Sequence, residues 1–230
     1  MKNAVIAGIV ISAISMYAAH ANADSITDYV QAEVGAGYAR MGNIGDGTWQ
    51  QWGTPGDHVD MNAPAITVGL TGTAWSHGRW SLDWHADYVY LGTVTASCNC
   101  VADDEYNPHT HQLINRNAPT NYFDGQGHTQ GVALTLAPGY SFGNHWRVAL
   151  EAGGWAYWQT WHEYDNTPWG PDNASHVTHV QFSPVAGASI EYKSFALSYR
   201  HYFMSQQWNP SPAISTSANV LAVTYRHNLF

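Results

Sequence analysis

The sequence predicts an all-β protein: a closed antiparallel eight-stranded transmembrane up-and-down β-barrel with short periplasmic turns and long extracellular loops. Three observations carry that expectation. An export leader opens the chain, side chains alternate apolar and polar with a period of two, and the connections alternate between very short and very long.

The leader comes first. Lys2 supplies a positive start, an apolar run follows from Ala4 to Ile14, and the stretch ends in small residues at Ala21-Asn22-Ala23. This is the pattern of a secretory signal peptide over residues 1–23, with cleavage between Ala23 and Asp24. The apolar run is too short to be a spanning helix, which needs ~20 residues. Residues 24–230 are then expected to form one barrel domain. Charged residues are only 11% of the chain, against ~25% in soluble domains. Aromatics reach 13%, with 11 Trp and 14 Tyr. A surface so poor in charge is not solvated by water alone. Eight Lys plus Arg against 17 Asp plus Glu also give no basic footprint for nucleic acid.

Alternation marks eight strands in order. The first, Val30 to Tyr38, is rich in Gly and Ala. In the second, Ile66, Val68, Leu70, Gly72 and Ala74 oppose Thr67, Gly69, Thr71 and Thr73. The third sets Trp80, Leu82, Trp84, Ala86, Tyr88 and Tyr90 against Ser81, Asp83, His85 and Asp87. The fourth sets Val132, Leu134, Leu136, Tyr140 and Phe142 against Ala133, Thr135, Ala137 and Gly139. In the fifth, Trp146, Val148, Leu150 and Trp158 oppose Arg147, Glu151 and Tyr157. The sixth opposes Val180, Phe182, Ala186 and Ile190 to Gln181, Ser183 and Glu191. Phe195, Leu197, Tyr199 and Phe203 form the apolar face of the seventh, and Leu221, Val223 and Tyr225 that of the eighth.

The connections point the same way. Ser76-His77-Gly78, Gly143-Asn144 and Lys193-Ser194 are tight turns, whereas Met41–Asn62, Thr93–His128, His162–His176 and Ser205–Ala218 are long and polar. Short turns on one side and long loops on the other characterise bacterial outer-membrane barrels. In hydrocarbon every backbone N–H and C=O must be paired within the protein, so a spanning sheet has to close. The apolar face then looks out to lipid and the polar face fills the lumen. The alternative, a soluble barrel with the apolar face inside, would place most of the Trp in an interior that eight strands cannot enlarge enough to hold. Trp75, Trp80, Tyr90, Tyr140, Trp146, Trp158, Tyr192 and Tyr225 lie near strand ends, where interfacial girdles form. Pro138 and Pro184 fall inside strand patterns and lead to an expectation of local bulges.

Inward parity collects charge: Glu33, Asp83, His85, Asp87, Arg147, Glu151, Glu191, Arg200 and Arg226 are expected to pair in the lumen, because an unpaired buried charge is prohibitively costly. Glu33 and Arg226 share depth on the two strands that closure makes neighbours, and form the first-choice pair. Glu191, on another strand, is expected to stand apart from that seam. Cys98 and Cys100 share the longest loop with Asp103-Asp104-Glu105 and with His109 and His111. In an exported chain a Cys98–Cys100 disulfide is the expected reading, with a thiolate–imidazole metal set as the alternative. No cofactor is expected. Histidines 58, 109, 111, 128, 162 and 176 lie on or beside loops and could titrate on mild acidification.

The segment Ala137-Pro-Gly-Tyr-Ser-Phe-Gly-Asn-His-Trp-Arg147 through Glu151-Ala-Gly-Gly-Trp155 resembles a hairpin of the OmpA-type and opacity-type small outer-membrane barrels. So do Phe182-Ser-Pro-Val-Ala-Gly-Ala-Ser-Ile-Glu-Tyr192 and the ending Val223-Thr-Tyr-Arg226. The resemblance implies a Gram-negative outer-membrane location among lipid and lipopolysaccharide, and assembly through recognition of the terminal Phe230. The resemblance specifies an architecture and not an activity; the leading functional expectation is a non-enzymatic surface barrel whose acidic, aromatic-rich loops serve adhesion, binding of an extracellular ligand or envelope protection. The alternative is a lipid A deacylase-like enzyme using His201 and Ser205. In that family His and Ser lie two residues apart, whereas here they are four apart. No carboxylate appears beside Leu221, Val223 and Tyr225 to orient the imidazole.

Overall fold

The computed structural model describes residues 30–42, 58–100, 106–107, 112–113, 121–167, 170–204 and 215–229. The leader and its cleavage site at Ala23–Asp24 lie outside the described residues, as do His109, His111, Ser205 and Phe230. Eight long strands form the wall: β1 (Val30–Met41), β2 (Asn62–His77), β3 (Trp80–Cys100), β4 (Asn121–Phe142), β5 (Trp146–Thr167), β6 (Gln181–Tyr192), β7 (Phe195–Phe203) and β8 (Ser217–Asn228). Each pairs antiparallel with the next, and β8 returns to β1 over Gln31–Met41. The ladder therefore has no free edge across its wall, the condition hydrocarbon imposes.

The side chains obey the inverted pattern. Phe182 and Leu150 are 79% and 69% exposed, and Val34, Ile66, Val68, Leu134, Leu136, Leu197, Leu221 and Val223 also face outward. Lipid, rather than a protein core, must cover this band. At the turn end it is bordered by aromatic contacts: Trp80 against Tyr140 at 5.0 Å, Trp146 against Tyr192 at 4.7 Å and Phe195 against Tyr225 at 5.2 Å between ring centroids. The turns themselves need left-handed backbone, which Gly78 (φ 61°), Gly143 (φ 58°) and, less comfortably, Lys193 (φ 54°) provide.

The prolines do not produce bulges. Register runs unbroken past Pro184, opposite Gly154, and past Pro138, opposite Leu82. At Pro184 an inward side chain meets the carbonyl that the missing N–H leaves open. The β6–β7 ladder begins one residue after Pro184, at Val185–Tyr202, and the Phe203 carbonyl takes its hydrogen bond from the Trp155 indole at 3.0 Å. Beside Pro138 the β4–β5 ladder skips from Leu136 to Gly139, and the Ala137 carbonyl accepts from the Arg147 guanidinium at 2.8 Å. The register instead shifts between Thr73 and Trp75, and between Tyr90 and Thr93, where Gly92 has φ 80°. That second bulge reverses parity: Val89 and Leu91 face inward below it, and Val94 and Ala96 above it.

The long loops are also shorter than expected, because ladder continues into them. β3 reaches Cys100 and β4 starts at Asn121, so Cys98 and Cys100 lie opposite Phe123 and Asn121 in a strand and not in an irregular loop. Their side chains lie outside the described residues. β5 runs on to Thr167 and pairs with a further strand, Gly170–Val177, while His58–Asp60 pairs with the end of β3. Together these five segments form a sheet standing beyond the barrel mouth.

Candidate functional site

The lumen is built in two storeys. In the turn-side half, three arginines are shared among five carboxylates. Arg226 Nε donates to Glu33 Oε2 and its Nη1 to Glu191 Oε2, both at 2.8 Å. Glu33 and Arg226 are direct register partners across the β1–β8 seam. Glu191 also accepts from Arg147 Nη1 at 2.7 Å, and Arg147 Nη2 lies 3.1 Å from Asp83 Oδ2. Glu191 therefore belongs to the seam cluster, contrary to the expectation that it stands apart. β6 and β8 are not adjacent, but across so narrow a barrel an arginine side chain reaches both.

Arg200 is the second hub. Its Nη1 donates to Asp87 Oδ2 at 2.6 Å, its Nε to Glu151 Oε2 at 2.9 Å, and its Nη2 lies 3.8 Å from Glu33 Oε1. Thr135 donates a further bond to Glu151. His85 Nδ1 sits 3.2 Å from Glu33 Oε1. Every one of these groups is buried except the half-buried Arg226. A charge in such a place is tolerable only when hydrogen-bonded to an opposite one.

The loop-side storey is aromatic, which the sequence pattern did not lead one to expect. Trp155, Tyr157, Trp161 and Tyr202 all point inward and are buried, with Trp155 at 4.4 Å from Tyr157 and 4.8 Å from Tyr202. Gln159 donates to the Ser215 carbonyl at 3.1 Å. The signal was present in the sequence: Trp155 and Trp161 have the same parity as Arg147 and Glu151. With charge below and rings above, side chains fill the interior, as expected for eight strands.

On the outer wall His201 Nδ1 lies 2.8 Å from Asn219 Oδ1, which also accepts from Tyr199 Oη at 2.6 Å. Asn219 escapes the sequence pattern because a histidine's orienting partner is expected to be a carboxylate, and because it lies two residues before the apolar face that begins at Leu221. Beyond the mouth, Tyr122, Asp124, His162 and Tyr164 are exposed on the projecting sheet, and Tyr122 and Tyr164 pair at 6.4 Å. His128 is half-buried there, beside Tyr90 at 5.6 Å, while His176 Nε2 turns to Glu163 Oε1 at 3.4 Å.

No protein-family model and no curated protein matches the sequence. Solved structures do. The chain is similar to Ail, the attachment invasion locus protein of Yersinia pestis, solved in complex with the heparin analogue sucrose octasulfate: 11% identity, 86% of this chain and 99% of that one, TM-score 0.38. It is similar to Neisserial surface protein A at 10% identity, covering 87% and 96%, TM-score 0.39. It is also similar to the outer membrane protease OmpT from Escherichia coli at 9% identity, covering 88% and 98%, TM-score 0.45. With its apolar wall outward, its charges and rings inward and its ladder closed, the chain has the architecture of a small eight-stranded outer-membrane β-barrel.

Proposed function

We propose that this barrel is a non-enzymatic surface protein, exported with cleavage after Ala23 and held in outer-membrane lipid and lipopolysaccharide. Its assembly runs through recognition of Phe230, and its acidic, aromatic-rich outer end engages an extracellular ligand in adhesion or envelope protection. One observation carries the reading. The ladders of β3, β4 and β5 continue past the barrel mouth and gain flanking strands at His58–Asp60 and Gly170–Val177. Regular pairing there makes a preorganised platform that loses little entropy on binding. Exposed Tyr122 and Tyr164 supply the large, stiff contact surfaces that binding faces favour.

A lipid A deacylase-like enzyme is the second reading, and His201 favours it. The imidazole is on the lipid-facing wall and is oriented by an amide oxygen, a role Asn fills in some nucleophilic triads. One comparison separates the two. Cells carrying the wild type, His201→Ala, or Tyr122→Ser with Tyr164→Ser are assayed for lipid A acylation by mass spectrometry and for attachment to matrix-coated surfaces. Attachment lost in the tyrosine variant, with lipid A unchanged throughout, supports the surface role. A deacylated lipid A that disappears with His201→Ala overturns it in favour of the enzyme.

A further inference from the structure

The lumen charges do not balance. Among the described residues the network holds five carboxylates (Glu33, Asp83, Asp87, Glu151 and Glu191) against three guanidiniums. The carboxylates exceed the guanidiniums by two, in a medium that penalises even one unpaired charge. The surplus has a location. Glu33, Gly69 and Asp87 are register partners across β1, β2 and β3, so two carboxylates flank a residue with no side chain. A Cβ built on Gly69 would collide with Asp87 Oδ1. That oxygen belongs to a side chain 1% exposed, and it has no hydrogen-bond partner. The equivalent notch at Gly187 is treated differently. Gly187 lies between Glu151 and Arg200, and there the guanidinium bridges the gap to the carboxylate.

We propose that Glu33, His85 and Asp87 form a buried divalent-cation site of the mixed carboxylate–imidazole kind that takes Zn2+. One ligand atom from each residue lies within 4.8 Å of the other two. Tetrahedral bonds of ~2 Å need ligand atoms about 3.4 Å apart, so small side-chain rotations close the set. Two carboxylates and one imidazole suit zinc, whereas purely hard cations prefer all-oxygen shells. Arg200 holds Asp87 by Oδ2 and Arg226 holds Glu33 by Oε2, which leaves Asp87 Oδ1 without a partner and Glu33 Oε1 facing its fellow ligand His85, 3.2 Å from Nδ1. The two arginines thus act as orienting partners of metal ligands. Two positive charges at this point would cancel the surplus.

The test uses the full barrel, refolded in detergent, stripped with chelator and titrated with Zn2+. The expected result is one tightly held zinc per chain, a raised urea midpoint, and a zinc-edge absorption spectrum with one imidazole among oxygen ligands. Asp87→Asn and His85→Gln should each weaken that zinc by more than about tenfold. Gly69→Ala, which fills the notch, should do the same. A His109→Gln, His111→Gln variant, altered only in the longest loop, should retain it. The proposal is overturned by a wild-type barrel with no tight zinc, by a multi-histidine shell in its spectrum, or by zinc lost with the loop histidines. Because the spectrum is read on the wild type, the test does not depend on every variant folding.

Discussion

Replacing Arg200 by Met removes the cation that three carboxylates share and leaves a shorter, uncharged side chain in its place. Asp87 loses a bond of 2.6 Å and Glu151 one of 2.9 Å, while Glu33 keeps Arg226 and Glu151 keeps the Thr135 hydroxyl. The principal damage is therefore an isolated Asp87 beside a half-satisfied Glu151. Breaking a buried ion pair from one side costs ~3–5 kcal/mol. With a denaturant slope of roughly 2 kcal/mol per molar urea, the unfolding midpoint should fall by about 2 M. Glu151→Gln alone should cost less, since Arg200 retains Asp87. The double variant should be more stable than the sum of the singles by ~1–3 kcal/mol, a coupling that only contacting residues show. Intrinsic tryptophan fluorescence of the detergent-refolded barrel, in chelator throughout, reports the midpoints. A single-variant cost under about 1 kcal/mol, or additivity within ~0.5 kcal/mol, would refute the hub described for Arg200.

Three further outcomes are expected. Gly92→Val places a branched side chain at φ 80°, with its Cβ driven into the Ala63 Cβ and the Pro64 carbonyl, and should cost at least ~1–3 kcal/mol by the same urea assay. Unboiled protein should migrate apart from boiled protein on a detergent gel, since a ladder without edges resists detergent at room temperature; identical mobilities would contradict closure. The Cys98→Ser, Cys100→Ser double variant should still assemble to the heat-modifiable form, because so short a loop removes little unfolded-state entropy and both residues lie beyond the barrel wall. Loss of that form would show that this end of β3 matters for assembly.

Much of the architecture was legible because it is written locally. A period of two over Ile66–Ala74 or Trp80–Tyr90 needs no partner to be seen, and neither does a two-residue turn at Lys193-Ser194. Alternation assigns an inside and an outside wherever the register is regular, so Glu33, Asp87, Glu151 and Arg200 could be placed in the lumen from sequence alone. The same locality explains the misses. Bulges at Ala74 and at Leu91-Gly92 are shifts of register between one strand and its neighbour, and no single strand announces them. At Pro184 the donor to the Phe203 carbonyl comes from elsewhere in the chain, the Trp155 indole, and no local pattern pairs the two.

What the sequence by itself determined is therefore the number of strands, their order, and which side chains face lipid. What only the tertiary structure decided is which inward residues share a height. That follows from the register of each ladder and from the stagger that accumulates across several, neither of which one strand's pattern contains. Stagger across two ladders brings Glu191 to Arg226, while direct register sets Gly69 between Glu33 and Asp87 and places Asn219 beside His201. Each of those contacts joins residues on different strands, and no single strand's alternation shows their meeting.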